Sequence, residues 1–193
     1  MRELVYYVAV SLDGRIAAPD GDFSAFPTSG DHMDWIFREY ADTLPAPALT
    51  ALGLTADNSR FTTVLMGWET YDVGRRVGLI DPYPHLEQVV FTRRHANERI
   101  PANVRLVSSD PVAEVERLRR RDGESIWLCG GGTLASALAE QIDRLVLKVN
   151  PVVLGAGISL FEGDCRPRPA RLVASTTFGS GVVANEYDLR HSA

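Results

Sequence analysis

Cysteine is scarce in this chain, with only Cys129 and Cys165 among 193 residues. Two thiols without paired spacing exclude a disulfide scaffold and a cysteine-built metal site, and suit the reduced thiols of a cytoplasmic protein. Long apolar runs are also missing. The run near the start, residues 4–10, is too short to span a bilayer, and it reaches Asp13 and Arg15 without a small-residue cleavage site. It reads as a first strand, and a membrane partner is not expected. Positive charge is in deficit as well, the net charge being −5. A nucleic-acid backbone is met by an excess of Lys and Arg, so that partner is excluded too, while one small phosphorylated ligand needs only a local cluster. Catalytic signatures are absent: there is no GxxxxGK(S/T), HExxH, GxSxG or GxGxxG. The four histidines, His32, His85, His95 and His191, are scattered and read as surface or capping residues, and no metal site is expected.

What is present describes a packed globular chain, 45% apolar and 23% charged, of a length that fits one domain over residues 1–193. Residues 4–10 predict a buried strand, and Asp13-Gly14 a turn. Residues 19–30, PDGDFSAFPTSG, predict a long irregular loop of the kind that carries function. Met33, Ile36, Phe37 and Tyr40 recur at helical spacing, with Asp31 as the predicted N-cap and an end before Pro45. A short helix over residues 47–52 follows. Strands are predicted at 63–66, 88–92, 104–107, 125–129, 145–149 and 152–154. Asp110-Pro111 is a helix start, a cap residue before proline at the first helical position. Residues 172–178 and 182–189 flank Gly179-Ser180-Gly181 as an antiparallel hairpin. Alternating strands and helices closed by a hairpin give a mostly parallel sheet with an antiparallel edge.

Residues 125–138, SIWLCGGGTLASAL, are the most informative stretch: an apolar strand stops at three glycines and a helix begins. Glycines let a ligand approach the backbone, and the free N–H groups of a first helical turn attract an anion. A plain structural turn is the alternative. Gly67, after the strand at 63–66, repeats the pattern, and Arg93 and Arg94 follow the next strand. Ligands of parallel sheets bind at the carboxyl ends of strands, so these groups share one rim. Two helix starts for a pyrophosphate and an arginine fork for a further phosphate describe a site for NADPH. The arginine pair has an exposed surface turn as its alternative.

In this order, VAVSLDGRIA, LMGWETYD, VVFTRR, WLCGGGTLASAL and NPVVLGAGISLFEG resemble the dihydrofolate-reductase-like superfamily. Within it, the chain resembles the reductase domain of the riboflavin-biosynthesis deaminase-reductase and its stand-alone relatives. The resemblance implies a three-layer α/β/α fold with a central, mostly parallel sheet and an antiparallel C-terminal hairpin. It implies an NADPH-dependent reductase that passes hydride to a small heterocyclic substrate, as 5-amino-6-(5-phosphoribosylamino)uracil reductase does, and a homodimer. Dihydrofolate reduction and a non-catalytic nucleotide-binding or regulatory protein are the alternatives. The zinc deaminase signatures HxE and PCxxC do not occur.

Carried onto this sequence, the resemblance places Ala9 and Ile16 at the nicotinamide carboxamide. Gly67 and Thr70 begin a phosphate-holding helix, Thr92, Arg93 and Arg94 lie near the 2′-phosphate, and Gly130, Gly131, Gly132 and Thr133 hold the pyrophosphate. Trp68 stands where the folate enzymes often carry a basic residue, and it offers adenine a ring to stack on. Asp34, and after it Asp31, are the candidates for the proton-supplying carboxylate. Tyr7 and Lys148 are the candidate substrate residues, Lys148 with a solvated surface lysine as its alternative.

Overall fold

Leu4–Val10 (β1) is the strand around which the fold is built, and it pairs in parallel with two strands that are far away in sequence. One is Ser125–Gly130 (β6) and the other Arg144–Val149 (β7). Every second side chain of β1 enters one of two cores. Val5 and Tyr7 face one, while Leu4, Tyr6 and Val8 face the other. A strand buried on both faces must be apolar throughout, which is why residues 4–10 show no alternation.

This is a computed structural model, and it describes residues 1–190; His191 lies outside the described residues. The remaining strands are Arg15–Ala17 (β2), Phe61–Gly67 (β3), Glu87–Phe91 (β4), Val104–Val107 (β5), Ile158–Ser159 (β8), Arg171–Thr177 (β9) and Val183–Asp188 (β10). Eight of the ten strands form one sheet in the order β5-β4-β3-β6-β1-β7-β10-β9, parallel except where β10 meets β7 and β9. β2 and β8 form a separate antiparallel pair.

Asp31–Glu39 (α1), Ala46–Leu52 (α2) and Trp68–Arg76 (α3) supply Ile36, Leu49 and Tyr71 to the core that holds Tyr7. Pro111–Arg119 (α4) and Gly132–Ala137 (α5) supply Val115, Leu118, Leu134 and Ala135 to the core that holds Tyr6. The result is the expected three-layer α/β/α arrangement with an antiparallel C-terminal hairpin. α4 starts as the sequence predicts, with the Asp110 side chain accepting a hydrogen bond from Val112 N at 3.0 Å.

Three expectations are corrected. Gly30, not Asp31, is the N-cap of α1; the Asp31 carboxylate instead accepts hydrogen bonds from Gly179 N (2.6 Å) and Ser180 N (3.0 Å) in the turn before β10. Those two contacts hold its charge and lower its pKa. Residues 152–154 form no strand, because Leu154 N and Gly155 N donate to the Asp13 carboxylate and Val153 points to solvent. His32 is buried rather than superficial, bridging Ser180 Oγ (2.9 Å) and Pro27 O (3.1 Å).

Candidate functional site

β3, β4 and β6 end side by side, and beyond their carboxyl ends opens a cleft of about 1130 Å³. Its walls contain Ile16, Gly67, Trp68, Thr70, Thr92, Arg93, Arg94 and the run Gly130 to Thr133. These residues come from four separate parts of the chain and were all predicted for the cofactor. Ala9 lies on β1 outside the walls, and so do Tyr7, Lys148, Asp31 and Asp34.

The floor is built from two facing glycine turns. Gly67 is the N-cap of α3 and Gly131 that of α5, and neither helix start is capped by a side chain. A Cβ on Gly67 would lie 3.7 Å from Gly131 N, and one on Gly131 would lie 3.7 Å from Thr70 Oγ1. Side chains here would fill the space between the turns. Without them, backbone N–H groups face a gap suited to anionic oxygens, the cradle a pyrophosphate requires. The residues therefore fit a phosphorylated dinucleotide. Gly132 has a different reason: a Cβ there would come within 2.2 Å of Ser159 O, so the absent side chain admits β8.

Electrostatics reinforce the cradle at one end. Arg93 and Arg94 are exposed and have no carboxylate partner among the described residues. Arg75 and Arg76, by contrast, are both held by Asp72 at 2.7 Å. Thr92 shapes the turn rather than offering its hydroxyl, since Oγ1 accepts hydrogen bonds from Arg94 N (3.3 Å) and His95 N (3.0 Å). Trp68 is covered by the His95 ring, stacked at 4.0 Å and 6°. The outer ring at this rim is therefore His95, which the sequence did not single out. Ser108, Ser109 and Asp110 complete the wall beyond β5. Their position directly after a predicted strand was the signal available for them. Glu162 also lines the cleft and accepts a hydrogen bond from Thr133 Oγ1 at 3.1 Å.

Cys129 and Tyr83 also line the cleft, and both pack against the buried cluster that contains Tyr7. Tyr7 is stacked on Tyr40 at 4.3 Å, and its carbonyl accepts the Trp127 indole N–H at 3.0 Å. The Lys148 ammonium sits 4.1 Å from the centre of the Tyr7 ring. Burial lowers its pKa to about 8 and raises that of the Cys129 thiol to about 12. Asp34 is exposed on α1, and Asp31 is committed to the hairpin turn, so neither candidate carboxylate reaches the cleft. Pro19, Asp20, Gly21 and Phe23 of the long loop border the opening, with Phe23 exposed.

The fold is that of a reductase-like domain. Residues 79–184 match the RibD C-terminal domain, and the chain belongs to that family. An uncharacterized protein of Bacillus subtilis (strain 168), YwjB, is 30% identical over 185 residues, covering 94% of this chain and 95% of the relative. Among solved structures, a putative riboflavin biosynthesis protein from Shewanella sp. PV-4 superposes with a TM-score of 0.71 at 18% identity, covering 99% of this chain and 100% of that one. The Thermotoga maritima diaminohydroxyphosphoribosylaminopyrimidine deaminase/5-amino-6-(5-phosphoribosylamino)uracil reductase superposes with a TM-score of 0.65 at 18% identity, covering 97% of this chain and 56% of that one. At that identity the two structures speak for the fold. Among the described residues no helix is long and apolar enough to cross a membrane.

Proposed function

We propose that the chain is an NADPH-dependent reductase, one domain over residues 1–193, that adds hydride to a small heterocyclic substrate of the 5-amino-6-(5-phosphoribosylamino)uracil type. The observation that carries this reading is the side-chain-free gap between the Gly67 and Gly131 turns, with the unpaired Arg93 and Arg94 at one end. Gly67, Thr70, Gly130, Gly131, Gly132 and Thr133 hold the pyrophosphate, and Arg93 and Arg94 take the 2′-phosphate. Ile16 and Ala9 lie toward the nicotinamide. The bound dinucleotide supplies the hydride; the protein supplies orientation and charge. The reading also includes a cytoplasmic homodimer.

Trp68 lines the cleft, so its fluorescence reports binding directly. Saturable quenching by NADPH is expected, and no saturation at millimolar cofactor overturns the reading. Replacing both Arg93 and Arg94 by Ala is expected to weaken NADPH about 10- to 100-fold while NADH changes little, because charge-assisted bonds to the 2′-phosphate contribute about 1.5–3 kcal/mol. Neither Asp31 nor Asp34 reaches the cleft, which favours a second reading, a nucleotide-binding protein without turnover. Steady NADPH oxidation with 5-amino-6-(5-phosphoribosylamino)uracil or dihydrofolate separates the two.

A further inference from the structure

The cleft is uneven in charge, and the strand order gives that unevenness a direction. From β5 through β4, β3 and β6 to β1, its rim runs past Ser108, then Arg93 and Arg94, then the two glycine turns, then Ile16 on the strand that follows β1. Four basic side chains border it. Arg93, Arg94 and His95 come directly after β4, and Arg76 is neutralised by Asp72 (2.7 Å) and Glu69 (3.4 Å). On the side of β2 and β8 the sign reverses. Asp20 and Glu162 line the cleft there, and neither has a basic partner among the described residues.

Between these charges one wall is apolar. Pro45, Val73, Leu79, Tyr83 and Cys129 line the cleft and are half-buried. The wall is fixed in place: Ala46 N donates to Pro82 O (2.9 Å), Leu79 N donates to Gly74 O (2.9 Å), and the Tyr83 ring packs edge-on against Trp127 at 5.1 Å. Cys129 lies two residues beyond Trp127 on the same face of β6, next to the glycine turn and to β1. A dinucleotide with its phosphates in the glycine turns and its 2′-phosphate at Arg93 and Arg94 extends its nicotinamide toward this wall. At about 1130 Å³ the cleft exceeds the roughly 300–1,000 Å³ of a site for one small ligand, which leaves room for a ring beside the dinucleotide. Burial raises the pKa of the Tyr83 phenol and lifts that of the Cys129 thiol to about 12, so both stay neutral. The same exclusion of water makes an unpaired phosphate costly here.

We infer that this wall is the substrate subsite and that the substrate is an uncharged ring compound without a phosphate group. The inference rests on the reductase reading above and narrows its substrate to the unphosphorylated members of that type. A phosphate beside Cys129 would lie against apolar or neutral side chains, with Asp20 and Glu162 as the free charges on one side, while the cofactor takes Arg93 and Arg94. Lys148 does not supply a partner, since it lies outside the walls with its ammonium against the Tyr7 ring. A neutral ring gains by leaving water for the wall and leaves no charge uncompensated.

The test compares two compounds that differ by the phosphate alone, 5-amino-6-(5-phosphoribosylamino)uracil and its unphosphorylated riboside. Each is titrated calorimetrically into the protein saturated with NADP+, so that binding is read without turnover. The riboside is expected to bind at least about 5-fold more tightly. A smaller advantage, tighter binding of the phosphorylated compound, or no binding of the riboside at millimolar concentration overturns the inference. Leu79→Arg puts a cation into the wall and is expected to cut that advantage at least about 5-fold; an unchanged preference overturns the inference as well. Where circular dichroism shows that variant unfolded, Val73→Arg carries the same test. NADPH oxidation separates this inference from the reading it rests on. Tighter binding of the riboside with no oxidation by either compound leaves the preference of the wall standing and overturns the reductase reading. Oxidation that favours the phosphorylated compound overturns this inference alone, and a wild type that binds no cofactor overturns both.

Discussion

At the scale of single residues, the burial of Lys148 has an energetic cost. Its pKa is lowered from 10.5 to about 8 by burial, so between those values the unfolded chain binds more protons than the native one. Stability is therefore expected to rise with pH across that window, and the penalty is full below pH 8. Lys148→Met is expected to raise stability at pH 7 by on the order of 2 kcal/mol and to flatten that rise, as read by urea denaturation at several pH values. The sequence points to Lys148 as a substrate candidate, but its contact with the Tyr7 ring is hidden there, because the two meet only when β7 pairs with β1. The partners of Asp31 are hidden for the same reason. A carboxylate before an amphipathic helix looks like a cap, and only the folded chain brings Gly179 and Ser180 to it.

At the scale of elements, three neighbouring positions in two glycine turns are expected to behave differently. Gly131→Ala and Gly67→Ala meet only ordinary contacts at 3.7 Å or more, so the fold is expected to persist while NADPH affinity drops about 10-fold or more. Gly132→Ala drives a Cβ to 2.2 Å from Ser159 O and is expected to cost about 3 kcal/mol in thermal or urea unfolding. Equal loss of stability in all three variants would contradict a cofactor role for Gly67 and Gly131. These turns were legible because their chemistry is local: apolar strand, glycine, helix. The buried strands were legible for a similar reason, continuous apolar runs of the right length. Residues 152–154 look the same in sequence, yet their backbone groups are claimed by Asp13, a contact set by tertiary structure. The short β2–β8 pair gave no signal, being two and three residues long.

At the scale of the molecule, local patterns predicted a parallel sheet with an antiparallel end, but they did not give the order β5-β4-β3-β6-β1-β7-β10-β9. That order is decided by which buried faces match, and it is what turns four distant segments into one cleft. It also leaves β9 at an edge, exposed along all seven residues, with Leu172 at 53% and Val173 at 44%. Long unpaired edges are normally covered or charged. The homodimer is expected to bury this strand, so sedimentation velocity should show a dimer that Val173→Lys converts to monomer. A wild-type monomer at micromolar concentration would remove the dimer from the reading.

The pairing of β7 between β1 and β10 has a practical consequence for a protein with one lysine. Endoproteinase Lys-C has a single cleavage point, the bond after Lys148, and it lies within a strand hydrogen-bonded on both sides. A protease must open the middle of the sheet to reach it, so fraying ends and the long loop contribute nothing to the cut. One band splitting into two on a gel thus measures how often the centre of this protein opens, and slower splitting with a bound dinucleotide measures how strongly the cleft is tied to that centre.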